Sequence, residues 1–281
     1  MTRFGFTLQP RWFGYLGMAI VFAIACVLLS QWQFGRLDEA RREIERIDTN
    51  YAKSPQQLGD VLPSLTSWDV AVEWTPVSLT GTYLVDDQLL VRNRPYNGNP
   101  GFEVLTPLKL SDGSVFVVDR GWLPSGDTQD KPDVVPAPPS GVVTVVARVK
   151  QGEPDLPGRS APAGEIPSID LAEVATEVGQ PTYTGGYGLM ESESPATATR
   201  PLPAIKPEED EGPHLSYAIQ WIIFAFFGFV GLGYAIRQEY RARRSGNPDD
   251  NHLVAAPKEK RRRTDAQIED ELAESGARIS R

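Results

Sequence analysis

The chain is poor in the side chains from which most cofactor and redox sites are built. Its 281 residues include one cysteine, two histidines and three methionines. A single cysteine, Cys26, excludes a disulfide, a Cys-x-x-Cys redox pair, c-type haem attachment and a thiolate copper or zinc site. Two imidazoles and three thioethers leave almost nothing from which to build a metal cage. Enzyme signatures are missing as well: there is no G-x-S-x-G elbow, no phosphate-cradling glycine loop after a strand and no H-E-x-x-H. Carboxylates are plentiful, but no spacing sets two of them across a cleft for hydrolysis. A protein that is not an enzyme is expected. Basic residues are outnumbered, 28 Lys and Arg against 37 Asp and Glu, and the acidic surplus falls between residues 37 and 213. That disfavours nucleic acid as a partner, because phosphate binding needs a basic footprint.

What the sequence does have is segregated hydrophobicity. Trp12 to Ser30 (WFGYLGMAIVFAIACVLLS) and Leu215 to Ile236 (LSYAIQWIIFAFFGFVGLGYAI) carry no charge. Each run, at about 20 residues and 1.5 Å per helical residue, suffices to cross a hydrocarbon core of roughly 30 Å. The first is too long for the core of a cleaved signal, and SQWQFGRLDEARR after it offers no small-x-small site, so an uncleaved anchor is expected. Arg3 and Arg11 precede the first run. Arg237, Arg241, Arg243 and Arg244 follow the second, whose other flank holds Glu208, Glu209, Asp210 and Glu211. The positive-inside rule then places both termini in the cytoplasm and the middle outside. Arg36, Arg41, Arg42 and Arg46 oppose that rule, but they interleave with Asp38, Glu39, Glu43 and Glu45 as a solvated helix would. The expected organisation is a cytoplasmic N-terminus (1–11), a transmembrane helix (12–33), an extracytoplasmic domain (34–213), a second transmembrane helix (214–236) and a largely disordered cytoplasmic tail (237–281). In that tail, Lys258 to Arg263 either touches anionic membrane lipid or is simply solvated, and Thr264 to Gln267 fits a helix capping box.

Between the spans the pattern turns to strands. A charged helix is expected over 36–52, a turn over Ser54 to Val61, then strands at Val77 to Leu84 and Gln88 to Arg94. GFEVLTPLKL and VFVVDRGWL, joined by Ser111-Asp112-Gly113-Ser114, predict a hairpin with Phe102, Val104, Thr106, Leu108 and Leu110 on one face. A proline-rich connection (131–141) leads to a strand at 142–150, and 152–168 reads as a loop. Asp170 is placed to N-cap a helix ending near Gly179, GGYGLMESE reads as a last strand, and Pro195 to Pro213 as an extended tether. Clustered strands with marginal helices predict an α+β fold: two transmembrane helices flanking a mainly antiparallel, barrel-like sheet domain.

The candidate site lies at the membrane ends. On a helix, His214, Tyr217 and Trp221 share a face at i, i+3 and i+7, with Ser216 and Gln220 beside them. The first span leaves on the same side with Gln31, Trp32, Gln33 and Arg36. An aromatic belt accounts for the tryptophans and tyrosine, but polar groups in spans more often mark binding or helix contact. His214 is then an interfacial residue, a proton handler or hydrogen-bond partner of the first span, or the axial ligand of a haem, for which one imidazole suffices.

Three separated motifs carry a resemblance. Trp32-Gln33 followed by Arg36, NRPYNGNPGFEVLTPL with VDRGWLP, and GPHLSYAIQW resemble, in that order, the signatures of the surfeit locus protein 1 family, over about residues 10–240. The resemblance implies a bacterial plasma-membrane assembly factor for cytochrome c oxidase, binding or relaying haem a to the core subunit. Other oxidase assembly factors or supercomplex subunits are further partners it implies. It makes His214 the haem ligand, with Tyr217, Trp221, Trp32 and Arg36 shaping the pocket. Gln33, Arg94, Arg120, Gly121 and Trp122 are family-signature residues. The two arginines there would meet haem propionates or a partner subunit, or form structural ion pairs; Gly121 would permit a bulge or close packing. The rival expectation is a scaffolding subunit that stays on the mature oxidase or supercomplex without a cofactor.

Overall fold

A computed structural model describes Thr7 and residues 9–245; the expected lipid-contacting and capping segments of the tail lie outside them. The described residues form two compact units, Leu29–Gln220 and the segments up to Leu28 and from Trp221 onward.

The larger unit is a β-sheet closed on itself. Its elements are the end of α1 (Pro10–Tyr51), β1 (Gln56–Gln57), α2 (Leu58–Val61), β2 (Pro76–Tyr83), β3 (Leu89–Val91), β4 (Gly101–Leu110), β5 (Val115–Pro124), β6 (Val142–Lys150), β7 (Glu165–Ile166), α3 (Leu171–Val178), β8 (Tyr187–Ser194) and the start of α4 (His214–Ser245). The strand order β2-β6-β8-β5-β4 returns to β2, because Gly81–Tyr83 pair with Leu108–Leu110. Closure needs glycine at position 81: a Cβ there would sit 2.3 Å from the Lys109 carbonyl oxygen. The interior draws on all five strands of the ring, with Leu79, Leu108, Phe116, Val145 and Met190 among its members. Closing the ring removes most exposed edges.

Local chemistry explains the hairpin. Gly113 has φ 86°, and Asp112 Oδ1 accepts from the backbone N–H and hydroxyl of Ser114 at 2.9 and 2.6 Å. The apolar face of β4 runs from Phe102 and Val104, which pack with Leu90 and Leu123, to Leu108 and Leu110 in the barrel interior. The opposite face is buried too. Leu105 packs with Leu171, Val174 and Val178 of α3. Asp170 caps that helix, accepting from the N–H groups of Ala172 and Glu173, and Gly179 ends it in the left-handed conformation; both ends are as the sequence predicts.

Several expectations change. The sheet is mainly antiparallel, but β1–β2, β3–β7 and β5–β8 run parallel. Residues 54–61 are not a plain turn, since they contain β1 and α2, and the loop over 152–168 holds β7. The strand expected over 88–94 shrinks to Leu89–Val91. The charged helix expected over 36–52 is there, as the continuation of the first apolar run in α1 to Tyr51. The segment 195–213 is no free tether, because Leu202 and Trp122 exchange backbone hydrogen bonds at 2.8 Å in both directions.

In the smaller unit, the first part of α1 and most of α4 are helices whose apolar side chains face outward; Val21, Met18 and Phe226 are each about two-thirds exposed. Both full helices are long and apolar enough to cross a membrane by length and composition. Within this unit they lie side by side: a Cβ on Gly228 would touch Phe22, and Arg11 and Arg243 both pair with Glu239. Helix α4 runs past Ile236 to Ser245, so the first residues of the expected cytoplasmic tail are helical.

Candidate functional site

The first constellation forms where α1 and α4 meet inside the larger unit. Ser30 Oγ donates to the Ala218 carbonyl at 3.0 Å, and Arg41 holds Glu211 through two hydrogen bonds of 3.0 and 3.1 Å. Between these ties, His214 Nδ1 lies 2.9 Å from Gln33 Oε1. An amide oxygen can only accept, so Nδ1 is the donor here, and in the neutral imidazole Nε2 is then the nitrogen with the lone pair. His214 is half-buried and lines a cleft of about 380 Å³ with Arg36, Glu39, Ala40, Arg42, Glu43 and Arg46. On a helix, positions 36, 39, 40, 43 and 46 fall on one face, so the cleft is walled by one charged stripe of α1.

The structure thus brings His214, Gln33 and Arg36 together. Arg36 itself bonds Glu39 at 2.7 Å, in an exposed pair. Trp32 and Tyr217 point outward, 60% and 49% exposed, and neither lines the cleft. Trp221 belongs to the smaller unit, where its ring meets Phe224 edge to face. Arg42 and Arg46 also line the cleft; in the sequence they read only as part of a solvated helix.

The second constellation is assembled from the hairpin motifs and divides them. Opposite Val104 of β4 stand two residues of β5, Arg120 and Gly121, a bulge that sends neighbouring side chains to different places. Arg120 is fully buried. Its guanidinium donates to the Pro136 carbonyl at 2.8 Å, lies 3.3 Å from Glu193 and sits over the Tyr83 ring. This is the ion-pair arrangement, and its acid, Glu193, comes from β8 and not from the local motif. Gly121, at φ 124°, allows close approach of the Leu202 carbonyl, which a Cβ would meet at 2.2 Å. Trp122 donates from Nε1 to the Arg94 carbonyl at 2.7 Å and stacks on Tyr96 with ring centroids 5.0 Å apart.

Arg94 faces a cavity of about 190 Å³. It pairs with Glu103 at 3.0 Å and Glu153 at 2.5 Å. Asp119, Lys150, Trp122 and Tyr187 also line this space. Burial, reinforced by the Glu103 charge, pushes the Asp119 carboxyl up to about 8, against the opposing Gly121 N–H, which it accepts at 2.8 Å. Burial also raises the Glu103 carboxyl, and burial with the nearby carboxylates raises the Tyr187 phenol well above its ordinary value. Burial pushes Glu153 the same way, but hydrogen bonds from Arg94 and the Ile169 N–H outweigh it and hold this carboxyl low. Asp119, Glu103, Glu153 and Tyr187 were not singled out from the sequence, although Glu103 and Asp119 lie inside the quoted motifs NRPYNGNPGFEVLTPL and VDRGWLP.

Comparison with known proteins bears out the family resemblance. The model of the SURF1 family matches residues 20–226. A SURF1-like protein of Mycobacterium bovis, itself uncharacterised, is 32% identical over 257 residues, covering 88% of this chain and 93% of its own. A SURF1-like protein of Rickettsia bellii is 22% identical over 202 residues, 70% of this chain and 80% of its own. The cytochrome oxidase assembly protein SHY1 of Saccharomyces cerevisiae is 29% identical over 111 residues, 38% of this chain and 28% of its own. With the family match spanning most of its length and both termini of the barrel inside it, this chain belongs to the SURF1 family.

Proposed function

We propose that this protein is a two-pass membrane assembly factor for cytochrome c oxidase, without catalytic activity of its own, that holds haem a for transfer to the oxidase core subunit. Membership of the family and the name of the yeast relative support the assembly role. Two outward-apolar helices support the membrane placement, with the barrel outside and both termini in the cytoplasm. The observation that carries the haem reading is the His214–Gln33 bond. Axial imidazoles commonly bind iron through one nitrogen while the other donates to an oxygen acceptor that fixes tautomer and ring orientation. Gln33 is such an acceptor, and it leaves Nε2 with its lone pair.

The residues present therefore fit a haem. His214 would supply the axial nitrogen, and Arg36, Arg42 and Arg46 along the cleft would meet propionate charge, with Arg36 and Arg46 exchanging it for their present partners Glu39 and Glu43. Trp32, beside Gln33, and Tyr217, one helical turn from His214, do not line the cleft but are exposed and would offer aromatic faces to the macrocycle. Haem a would contribute the iron and ring that the oxidase needs for electron transfer. The protein's part is to bind, orient and release. The helix-end ties Ser30–Ala218 and Arg41–Glu211 hold the imidazole in place without occupying its free nitrogen.

Purification from cells that make haem a tests this. The wild type is expected to carry a haem a absorption spectrum that His214→Ala loses; an unchanged spectrum in the variant sinks the ligand assignment. Capture of the mature, active oxidase separates a transient factor from a resident scaffold: absence of the protein agrees with the proposal, and stoichiometric retention supports the scaffold.

A further inference from the structure

The cavity beside the hairpin motifs is distant in chemistry from the histidine cleft, and its contents are unbalanced. Two cations, Arg94 and Lys150, face three carboxyl groups, Glu103, Asp119 and Glu153. Arg94 is spent on Glu103 and Glu153, and the Lys150 ammonium lies over the Trp74 ring, 5.5 Å from its centroid. Asp119, 2% exposed, is left with one backbone N–H as its hydrogen-bond partner among the described residues. Tyr187 is also 2% exposed, and its hydroxyl has no hydrogen-bond partner there. Tyr187 lines the same cavity as Asp119, Glu103, Glu153 and Arg94. Buried polar groups left in this state are ordinarily satisfied by something. The wall beside them is the stacked Tyr96–Trp122 pair.

We propose that this cavity is a binding site for one ammonium or guanidinium group, held by the Asp119 carboxylate and the Tyr187 hydroxyl against the aromatic wall of Trp122 and Tyr96. An anion would add charge to three carboxyl groups. No set of three ligating side chains among the described residues suits a metal ion, and Arg94 already engages two of the acids here. A space of about 190 Å³ is too small for a porphyrin. A cationic hydrogen-bond donor matches what is left: it neutralises Asp119, gives Tyr187 an interaction partner and gains from the aromatic faces. The charge comes either from a small organic amine or from a lysine or arginine side chain of a partner polypeptide.

Binding is coupled to a proton. The groups facing Asp119 are Glu103 on β4, Arg94 before it, Lys150 and Glu153 at the end of β6, and Tyr187 on β8. Together with burial they leave Asp119 protonated near neutral pH. When the cation binds, the Asp119 carboxylic acid becomes a carboxylate and its proton passes to the buffer.

Calorimetric titration of the full-length protein in detergent tests the proposal, using n-butylguanidinium and n-butylammonium chloride at constant ionic strength in two buffers of different ionisation enthalpy. Saturable one-to-one binding near pH 7 is expected, with release of up to one proton. Asp119→Asn is expected to abolish the proton release and weaken binding at least tenfold. Tyr187→Phe, which keeps the ring in the core, is expected to weaken it several-fold while retaining the release. A blocked Gly-Arg-Gly peptide, compared with its citrulline counterpart, distinguishes the sources. Binding of the arginine peptide as tightly as the free cation points to a partner side chain, and binding of the free cation alone points to a small amine; either supports the site. No saturable binding by the wild type overturns it, as does binding unchanged in both variants.

Discussion

At the scale of single residues, the motif Asp119-Arg120-Gly121-Trp122 divides its labour because the β5 bulge turns consecutive side chains apart. Arg120 and Glu193 are both buried, 0% and 2% exposed at the side chain, and Tyr83 and Thr197 also hydrogen-bond Glu193. Removing one partner of such a pair strands a charge in the core, which costs about 3–5 kcal/mol. Glu193→Leu and Arg120→Met alone are each expected to lower stability by that order in denaturant melts. The double substitution is expected to recover part of the loss, and strict additivity would show that the two do not interact. Asp119 gives a pH test. Its carboxyl is raised to about 8 in the folded protein from an ordinary value of 3.8, so between those values the folded state holds a proton that the unfolded chain has lost. Stability from this group is complete below about pH 4 and declines as pH rises towards 8. Melts of the wild type and Asp119→Asn across that window are expected to diverge with this sign, the variant lacking the decline. The sequence offered an ion pair for Arg120 and a bulge or close packing at Gly121, but not their partners. Glu193 lies on β8 and Asp119's acidic neighbours on β4 and beyond β6, and no local pattern joins them.

At the scale of elements, what the sequence disclosed is what short-range chemistry determines. The Asp112-Gly113 hairpin and helix α3, with Asp170 at one end and Gly179 at the other, carry their instructions within a few residues. Replacing Asp170 with Ala removes a side-chain acceptor for two N–H groups and is expected to cost about 1 kcal/mol, read from the shift of a denaturation midpoint. Ring closure through β2–β4, the parallel β5–β8 pair and the two-residue strands β1 and β7 rest on partners far along the chain. Periodicity cannot supply those pairings, because it reports a face and not a neighbour. The segment 195–213 illustrates the difference: its prolines and acids read as a loose tether, yet Leu202 is stitched to Trp122 in front of Gly121. Leu202→Pro deletes the N–H that bonds Trp122. Limited proteolysis is expected to cut this segment faster in the variant than in the wild type; equal rates would mean that the bridge contributes nothing to its order.

At the scale of the whole molecule, the proposed placement across the membrane rests on charge and on the exposed apolar helices. The single cysteine makes it measurable. Cys26 is buried, 1% exposed, so it gives little background to a thiol reagent, and a cysteine introduced elsewhere reports its own compartment. Asp155, exposed after β6, and Gln238, exposed near the end of α4, sit on opposite sides in the proposed arrangement. In intact cells, a membrane-impermeant maleimide is expected to label Asp155→Cys and to leave Gln238→Cys unlabelled until the membrane is opened. The reverse pattern would invert the topology and put the barrel and the His214 cleft on the cytoplasmic side. Labelling of both in intact cells would mean that α4 does not cross at all. The positive-inside rule favours the first outcome because Arg237, Arg241 and Arg243 flank the far end of α4, while Glu208, Glu209, Asp210 and Glu211 precede its start. The arginines of α1 beyond Gly35 do not weigh equally against it: Arg36, Arg41 and Arg46 each pair with a carboxylate in the larger unit, so their charge is largely compensated where it stands.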